Sequence, residues 1–204
     1  MGVAIRAAGE ADRDLVVRLL DVAFQEDPVS CWVFPGAEYR RLTHHRLMAA
    51  FADATFADGR VDLAEDGAAC ALWLPVPAGG GHEREPAGVD EAVLVREAVD
   101  PDNPRVEQIA RLTARIHPAG RAHEYLWMIG VDPARQGEGL GTALIESALD
   151  RCDREGLPAY LEASSARSRG LYERLGFAVT GPVLDLPEDG PRMWPMWREP
   201  APRG

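Results

Sequence analysis

The run Gln136-Gly137-Glu138-Gly139-Leu140-Gly141 has the residue types and spacing of an anion-holding turn. It follows an apolar, strand-like stretch ending at Val131 and an Asp132-Pro133 turn, and it leads into an amphipathic segment from Leu140. Where a helix begins, the first backbone N–H groups lack internal partners and the positive end of the helix dipole lies with them. A phosphate or diphosphate is suited to such a place. Glycines at 137, 139 and 141 would let it reach the backbone without meeting a Cβ. Taken alone, the run has a plainer but weaker account, a tight strand-to-helix turn whose glycines serve packing. Two other phosphate turns do not fit. A dinucleotide turn reads G-x-G-x-x-G and opens its domain, whereas the order here is Q-x-x-G-x-G, late in the chain. A Walker loop needs Lys before Ser or Thr, and all 22 basic residues of this chain are Arg.

The elements that would position this turn are read from periodicity. Val3 to Ala7 reads as a strand. A helix follows from Glu10 to Phe24, with Leu15, Leu19 and Ala23 beside Val16, Leu20 and Phe24. Asp27-Pro28 stops it, because the residue before proline avoids the helical region. A second helix is expected from Tyr39 to Phe56, with Leu42, Met48 and Phe51 facing inward. Val61 to Ala64 and Cys70 to Leu74 read as strands around Glu65-Asp66-Gly67. Pro75 to Gly88, with Gly79-Gly80-Gly81, reads as a loop. Helices near Glu91 to Val99 and Val106 to Ile116 are separated by Pro101-Asp102-Asn103-Pro104. Then come a strand from Tyr125 to Val131, a helix from Leu140 to Arg154 and a strand from Pro158 to Ser164. A short helix from Arg167 to Leu175 is closed by Gly176, suited to a left-handed cap. Phe177 to Leu186 and Met193 to Arg198 read as hairpin strands about Pro187 to Gly190. This mixture predicts an α/β or α+β fold, a central mixed sheet with helices on both faces.

The length of 204 residues suits one domain over about residues 3–199. With 46% hydrophobic residues the chain can bury a core without staples. A net charge of −11 leaves no basic stripe to neutralise phosphates, so nucleic acid is not expected as a partner. The acidic surface would attract a cationic amine, or serve solubility alone. Cys31, Cys70 and Cys152 stand apart and suggest neither a disulfide framework nor a metal site. With no leader-like start and no apolar run of about 18 residues, no membrane association is expected and the cytoplasm is the expected compartment.

A second motif, Leu171-Tyr172-Glu173-Arg174-Leu175-Gly176-Phe177, follows the strand Tyr160-Leu161-Glu162-Ala163-Ser164. Together with the glycine turn it resembles the GNAT superfamily of N-acetyltransferases, whose cofactor turn reads Q/R-x-x-G-x-G/A and whose later helix reads L-Y-x-x-x-G-F. The resemblance extends over nearly the whole chain. Within the superfamily the chain is similar to puromycin N-acetyltransferase and its relatives. That likeness rests on Ala23-Phe24 before the Asp-Pro break, Gly67-Ala68-Ala69 before a Trp-bearing strand, and an insert at about 75–120. Leu161-Glu162 and Gly190-Pro191-Arg192 add to it. The resemblance implies a mixed, mostly antiparallel sheet flanked by helices and splayed at the strand that meets acetyl-CoA. It implies direct transfer of acetyl from acetyl-CoA to a primary amine of a small molecule, antibiotic-like ones among them, by a monomer or homodimer. A protein or peptide N-acetyltransferase and a non-catalytic acyl-CoA sensor are the alternatives.

Site residues follow from the same resemblance. The backbone of Ile129, Gly130 and Val131 would pair with the pantetheine arm, since a strand edge suits an extended amide chain. The N–H groups of Gln136, Gly137, Glu138, Gly139, Leu140, Gly141 and Thr142 would hold the pyrophosphate. Ser165 stands where many members place an Asn against the cofactor, and Gln136 replaces the commoner Arg. Holding should therefore rest chiefly on backbone donors. Tyr172, which periodicity alone would pack behind Leu171 and Leu175, becomes the acid that protonates the departing thiolate. For the base, Glu162 resembles a position in ribosomal-protein N-acetyltransferases; Glu124, or a chain of waters, is the alternative. Alternation puts Glu124 on the face opposite Tyr125, Trp127 and Ile129, and Tyr125 stands nearer to the family's glutamate position. Asp27, Trp32, Phe34 and Tyr125 are assigned to the acceptor pocket, because aromatics plus a carboxylate suit a cationic amine with an apolar body. A surface loop anchored by core aromatics is the other account of the first three.

Overall fold

The computed structural model describes residues 3–64, 66–79 and 90–202, so most of the expected 75–88 loop, including Gly80-Gly81, lies outside the described residues. Among the described residues are eight strands and seven α-helices. The strands are β1 (Ile5–Ala7), β2 (Arg60–Ala64), β3 (Ala69–Val76), β4 (His123–Val131), β5 (Ala159–Ala163), β6 (Ala178–Val179), β7 (Leu184–Asp185) and β8 (Arg192–Arg198). They form one sheet in the order β1-β2-β3-β4-β5-β8-β6, with β7 paired to β8. Each pairing is antiparallel except that of β4 with β5.

Two apolar clusters cover the two faces. On one, α1 (Arg13–Phe24), α2 (Pro28–Val33), α3 (Ala37–Asp58), α4 (Glu91–Val99) and α5 (Pro104–Ile116) bury Leu20, Val33, Met48, Val99 and Val106 with Leu63 and Leu72 of the sheet. On the other, α6 (Leu140–Glu155) and α7 (Ala166–Arg174) bury Leu144, Ile145 and Tyr172 with Trp73, Leu126, Leu161 and Ala163. No helix among the described residues is long and apolar enough to cross a membrane.

Several expected elements differ in extent. The first helix opens with a single 3-10 turn, Glu10–Asp12. Asp27-Pro28 ends α1 as expected but also starts α2. The Asp27 carboxylate accepts from the N–H groups of Val29 and Ser30, and Pro28 fills the first helical position, where no N–H is needed. Leu42 is 67% exposed, not inward, because α3 turns the face of Arg40, His44, Leu47, Met48 and Thr55 to the core. Strand β3 runs through Pro75 to Val76, beyond the reach of β2, where a missing N–H leaves no neighbour unserved. The expected strand from Phe177 to Leu186 is broken into β6 and β7 around Gly181, which takes the left-handed φ of +65° before Pro182.

A bulge decides which side chains share a face of β4. Leu72 pairs with Met128 and Trp73 with Leu126, so Trp127 is an extra residue in β4. Before it, Glu124 and Leu126 share the α6 face. After it, that face belongs to Ile129 and Val131, while Trp127, Met128 and Gly130 turn towards α1 and α3. Glu124 is thus opposite Tyr125 and Trp127 as alternation requires, but on the same face as Ile129.

Three helices on the α1 face are joined by a buried polar chain. His44 of α3 lies 2.7 Å through Nδ1 from Asp21 of α1 and 3.1 Å through Nε2 from the Ser30 hydroxyl of α2. Burial lowers the pKa of His44, so the ring is neutral, donating to the carboxylate and accepting from the serine. His44→Ala is expected to cost about 2–4 kcal/mol of unfolding free energy, read from the urea midpoint. A loss below about 1 kcal/mol would mean that apolar packing alone holds the three helices.

Candidate active site

Strands β4 and β5 are paired only at Glu124–Ala159 and Tyr125–Tyr160, and they part beyond that. Among the described residues, the divergence leaves the β5-facing edge of Ile129, Gly130 and Val131 without a strand neighbour, while their other edge pairs with β3. An extended amide chain can lie along such an edge. A Cβ at Gly130 would come within 3.2 Å of Leu20 and 3.3 Å of Ala23, so glycine there serves the close approach of α1 rather than access for a ligand.

The glycine turn stands where β4 hands over to α6. Gly137 and Gly139 have φ of +90° and +84°, and a Cβ at either would meet nothing within 4 Å. Glycine is needed here for backbone conformation, and the space above the turn is open. Gly139 caps α6, whose first intrahelical bond runs from the Ala143 N–H to the Gly139 carbonyl. The N–H groups of Leu140, Gly141 and Thr142 therefore have no partner within the helix. These features fit a diphosphate. The side chains of the turn contribute little positive charge: Arg135 is held by Glu138 at 2.7 Å and by Asp66 at 3.1 Å, and Leu140 is in the core. Ser165 caps α7, accepting from the Ser168 N–H at 3.1 Å and meeting its hydroxyl at 2.9 Å.

At the apex of the parted strands lies Glu162. Its side chain is only 4% exposed. Oε2 accepts from the Tyr125 hydroxyl at 2.7 Å, and Oε1 is buried with no hydrogen-bond partner among the described residues. Burial pushes the carboxyl up to about 7, against the opposing effect of the Tyr125 and Tyr160 phenols. Two residues that sequence reasoning missed stand close to it. His117, just past α5, stands edge-on to Tyr125 and Tyr160, with ring centroids 4.7 and 4.8 Å away, and its Nδ1 is 3.9 Å from Glu162 Oε1. His123 opens β4, with its Nε2 3.1 Å from that of His117. One histidine ends a helix and the other starts a strand, and no motif signals that such a pair will meet.

Tyr172 lies on the other face of β5, beside Leu161, Ala163 and Phe177, and is 6% exposed. Burial raises the phenol's pKa and the Asp27 carboxylate raises it further, so the hydroxyl stays protonated. Asp27 is brought to Tyr172 as part of a structural tie: besides capping α2, its Oδ2 accepts from the Ser164 hydroxyl at 2.6 Å.

Three other assignments are corrected. Phe34 is fully buried between Tyr39 and His44, and so offers no face to an acceptor. Trp32 is 6% exposed; its Nε1–H donates to the Pro187 carbonyl at 3.0 Å and Arg105 covers its ring at 5.1 Å. Both follow the anchored-loop account. Glu124 points to the C-terminal turn of α6, in the field of Arg151 and Glu155, on the face away from Glu162.

The Acetyltransferase (GNAT) family model matches residues 90–177. An uncharacterized N-acetyltransferase of Schizosaccharomyces pombe is 47% identical over 53 residues, which cover 26% of this chain and 22% of that protein. A mycothiol acetyltransferase of Beutenbergia cavernae is 46% identical over 55 residues, covering 26% of this chain and 18% of that protein. The matched part thus spans about a fifth of the length of these curated relatives. Over the whole fold, a crystal structure of histone acetyltransferase HPA2 and related acetyltransferase from Corynebacterium glutamicum is similar with a TM-score of 0.73 at 26% identity, covering 100% of this chain and 99% of that one.

The Glu162 environment has measurable consequences. In a carbon-13 NMR titration the carboxyl is expected to titrate near 7, and higher still in Tyr125→Phe, which removes a donor to the carboxylate. A carboxyl with a raised folded pKa binds its proton more tightly when folded, so its ionisation weakens the fold as pH rises from about 4.5 to about 7. Relative to Glu162→Gln, the protein is expected to lose about 3 kcal/mol across that interval. A stability difference that does not change with pH would contradict the buried carboxyl.

Proposed function

Since the chain belongs to the GNAT acetyltransferase family, we propose that it transfers the acetyl group of acetyl-CoA directly to a primary amine of a small molecule. The observation that carries this reading is the buried Glu162, its carboxyl near 7, at the apex of a strand opening whose far end is an amide-lined turn.

In this reading the N–H groups from Gln136 to Thr142 hold the pyrophosphate of the donor, and the β5-facing edge of Ile129 to Val131 holds its pantetheine arm. An alkyl ammonium has a pKa near ~10 and must lose a proton before it can attack. Glu162, ionised above about 7, accepts that proton. The amine nitrogen then bonds to the thioester carbonyl carbon and the carbon–sulfur bond breaks. The departing thiolate takes a proton from Tyr172, whose phenol is kept neutral by burial and by Asp27, and the phenolate so formed is reprotonated by the second proton that the nitrogen sheds as it becomes an amide. Base and acid stand on opposite faces of β5, so the attacking and leaving groups are served from opposite sides of the opening.

A small acceptor is supported by the insert. The helices α4 and α5 pack over α3 and α2, and the end of α5 sets His117 against Glu162. The puromycin N-acetyltransferase likeness and the partial likeness to mycothiol acetyltransferases point the same way.

A panel of primary amines with acetyl-CoA, followed by free thiol release, tests the reading. Tyr172→Phe is expected to lower kcat about 10- to 100-fold with acetyl-CoA affinity unchanged. Unchanged turnover in that variant would remove the acid assignment. Thiol release with peptide N-termini alone would move the acceptor class to peptides. Tight acetyl-CoA binding with no thiol release from any amine or peptide would make the chain an acyl-CoA sensor.

A further inference from the structure

A proton collected by Glu162 lands away from water. Tyr125 occupies Oε2, so the proton goes to the buried Oε1, and His117 stands 3.9 Å from that oxygen. The hydrogen positions on the two histidines can be worked out from the outer end inwards. His123 Nδ1 lies 2.8 Å from the Arg121 carbonyl, which only accepts, so Nδ1 carries a hydrogen. His123 is 1% exposed and burial lowers its pKa, so the ring is neutral and Nε2 bears a lone pair. That lone pair is 3.1 Å from His117 Nε2, which must therefore be the donor. On a neutral His117 the basic nitrogen is then Nδ1, the atom turned towards Glu162 Oε1 at 3.9 Å.

We propose that His117 is the proton carrier of this site, taking the proton from Glu162 Oε1 on Nδ1 and releasing it to solvent, and that His123 is the positioning residue that fixes the tautomer. The inference rests on the acetyl-transfer reading above. The O–H bond of Glu162 breaks and an N–H bond forms on His117, which restores the carboxylate. The histidinium, whose side chain is 13% exposed, then gives its proton to water. Closing 3.9 Å to hydrogen-bond distance takes a small turn of the ring or one bridging water. Among the described groups facing His117 are Glu162 and Tyr160 of β5 and Tyr125 and His123 of β4. Arg121, the nearest cation to His123, is drawn outward to Glu199 and the Trp197 ring.

Two measurements test the proposal. In nitrogen-15 histidine spectra of the full chain at pH 8, neutral His117 is expected as the Nε2–H tautomer, becoming a mixture in His123→Phe. A neutral His117 carrying its hydrogen on Nδ1 would overturn the proposal, with or without a known acceptor. In turnover with acetyl-CoA and an amine accepted in the panel, His117→Ala is expected to lower kcat about 10- to 100-fold, with KM for acetyl-CoA unchanged. Free imidazole is expected to restore part of the loss, most strongly above pH 7. His117→Gln, which keeps a donor towards His123, is expected to fold normally and to share the defect. Full activity in both His117 variants, or a loss that imidazole does not relieve, would overturn the relay. Glu162→Gln separates the two claims: full activity there defeats the base reading, whereas its loss beside active His117 variants defeats only the relay.

Discussion

Two residue pairs join β4 to β5, and the candidate chemistry sits where that pairing ends. Each strand has a full partner on its other side, β3 for β4 and β8 for β5, so the sheet remains continuous while its middle opens. Once the strands part, the backbone polar groups along the opening need hydrogen bonds that no neighbouring strand supplies. This makes the gap a place for a ligand with amides of its own. The bulge at Trp127 belongs to the same arrangement. It lets β4 keep its register with β3 while turning Tyr125 to one face and Ile129 to the other.

The sheet holds two buried carboxylates in contrasting environments. Asp62 of β2 is fully buried and is met by two guanidinium groups, from Arg60 at 2.7 Å and Arg151 at 2.6 Å. Charge pairing of this kind offsets part of the cost of burying a carboxylate. Among the described residues Glu162 is offered only phenols as side-chain donors, and these offset part of the desolvation cost. The result is a carboxyl poised near neutrality, the condition a proton-transferring group requires. Tyr172 is shifted in the same direction, because burial and the neighbouring Asp27 both favour its neutral form, and it stays protonated.

Several polar side chains that resemble site residues in sequence are occupied with holding the frame. Asp27 caps α2 and ties it to Ser164 at the end of β5, which brings the first helices to the edge of the opening. Trp32 is fixed by a carbonyl 155 positions away, across the turn that leads into β8. Ser165 spends its hydroxyl on the start of α7, the helix that carries Tyr172. These contacts help to fix where Tyr172 and the end of β5 stand.

The sequence by itself determined the features whose causes lie within a few residues. Gly137 and Gly139 were legible because a left-handed backbone at the start of a helix calls for glycine. The helix bearing Tyr172 was legible because an apolar period ending at Gly176 is a local signal. The order of strands and helices followed from the same kind of pattern. Tertiary structure decided which segments meet. The bulge at Trp127 arises from how β4 must match β3, and the exposure of Leu42 from how α3 lies on α1 and the sheet. The meeting of His117, His123 and Glu162 depends on a helix end, a strand start and a parallel neighbour converging in space. Burial and electrostatic field are properties of that convergence, so no window of sequence contains them.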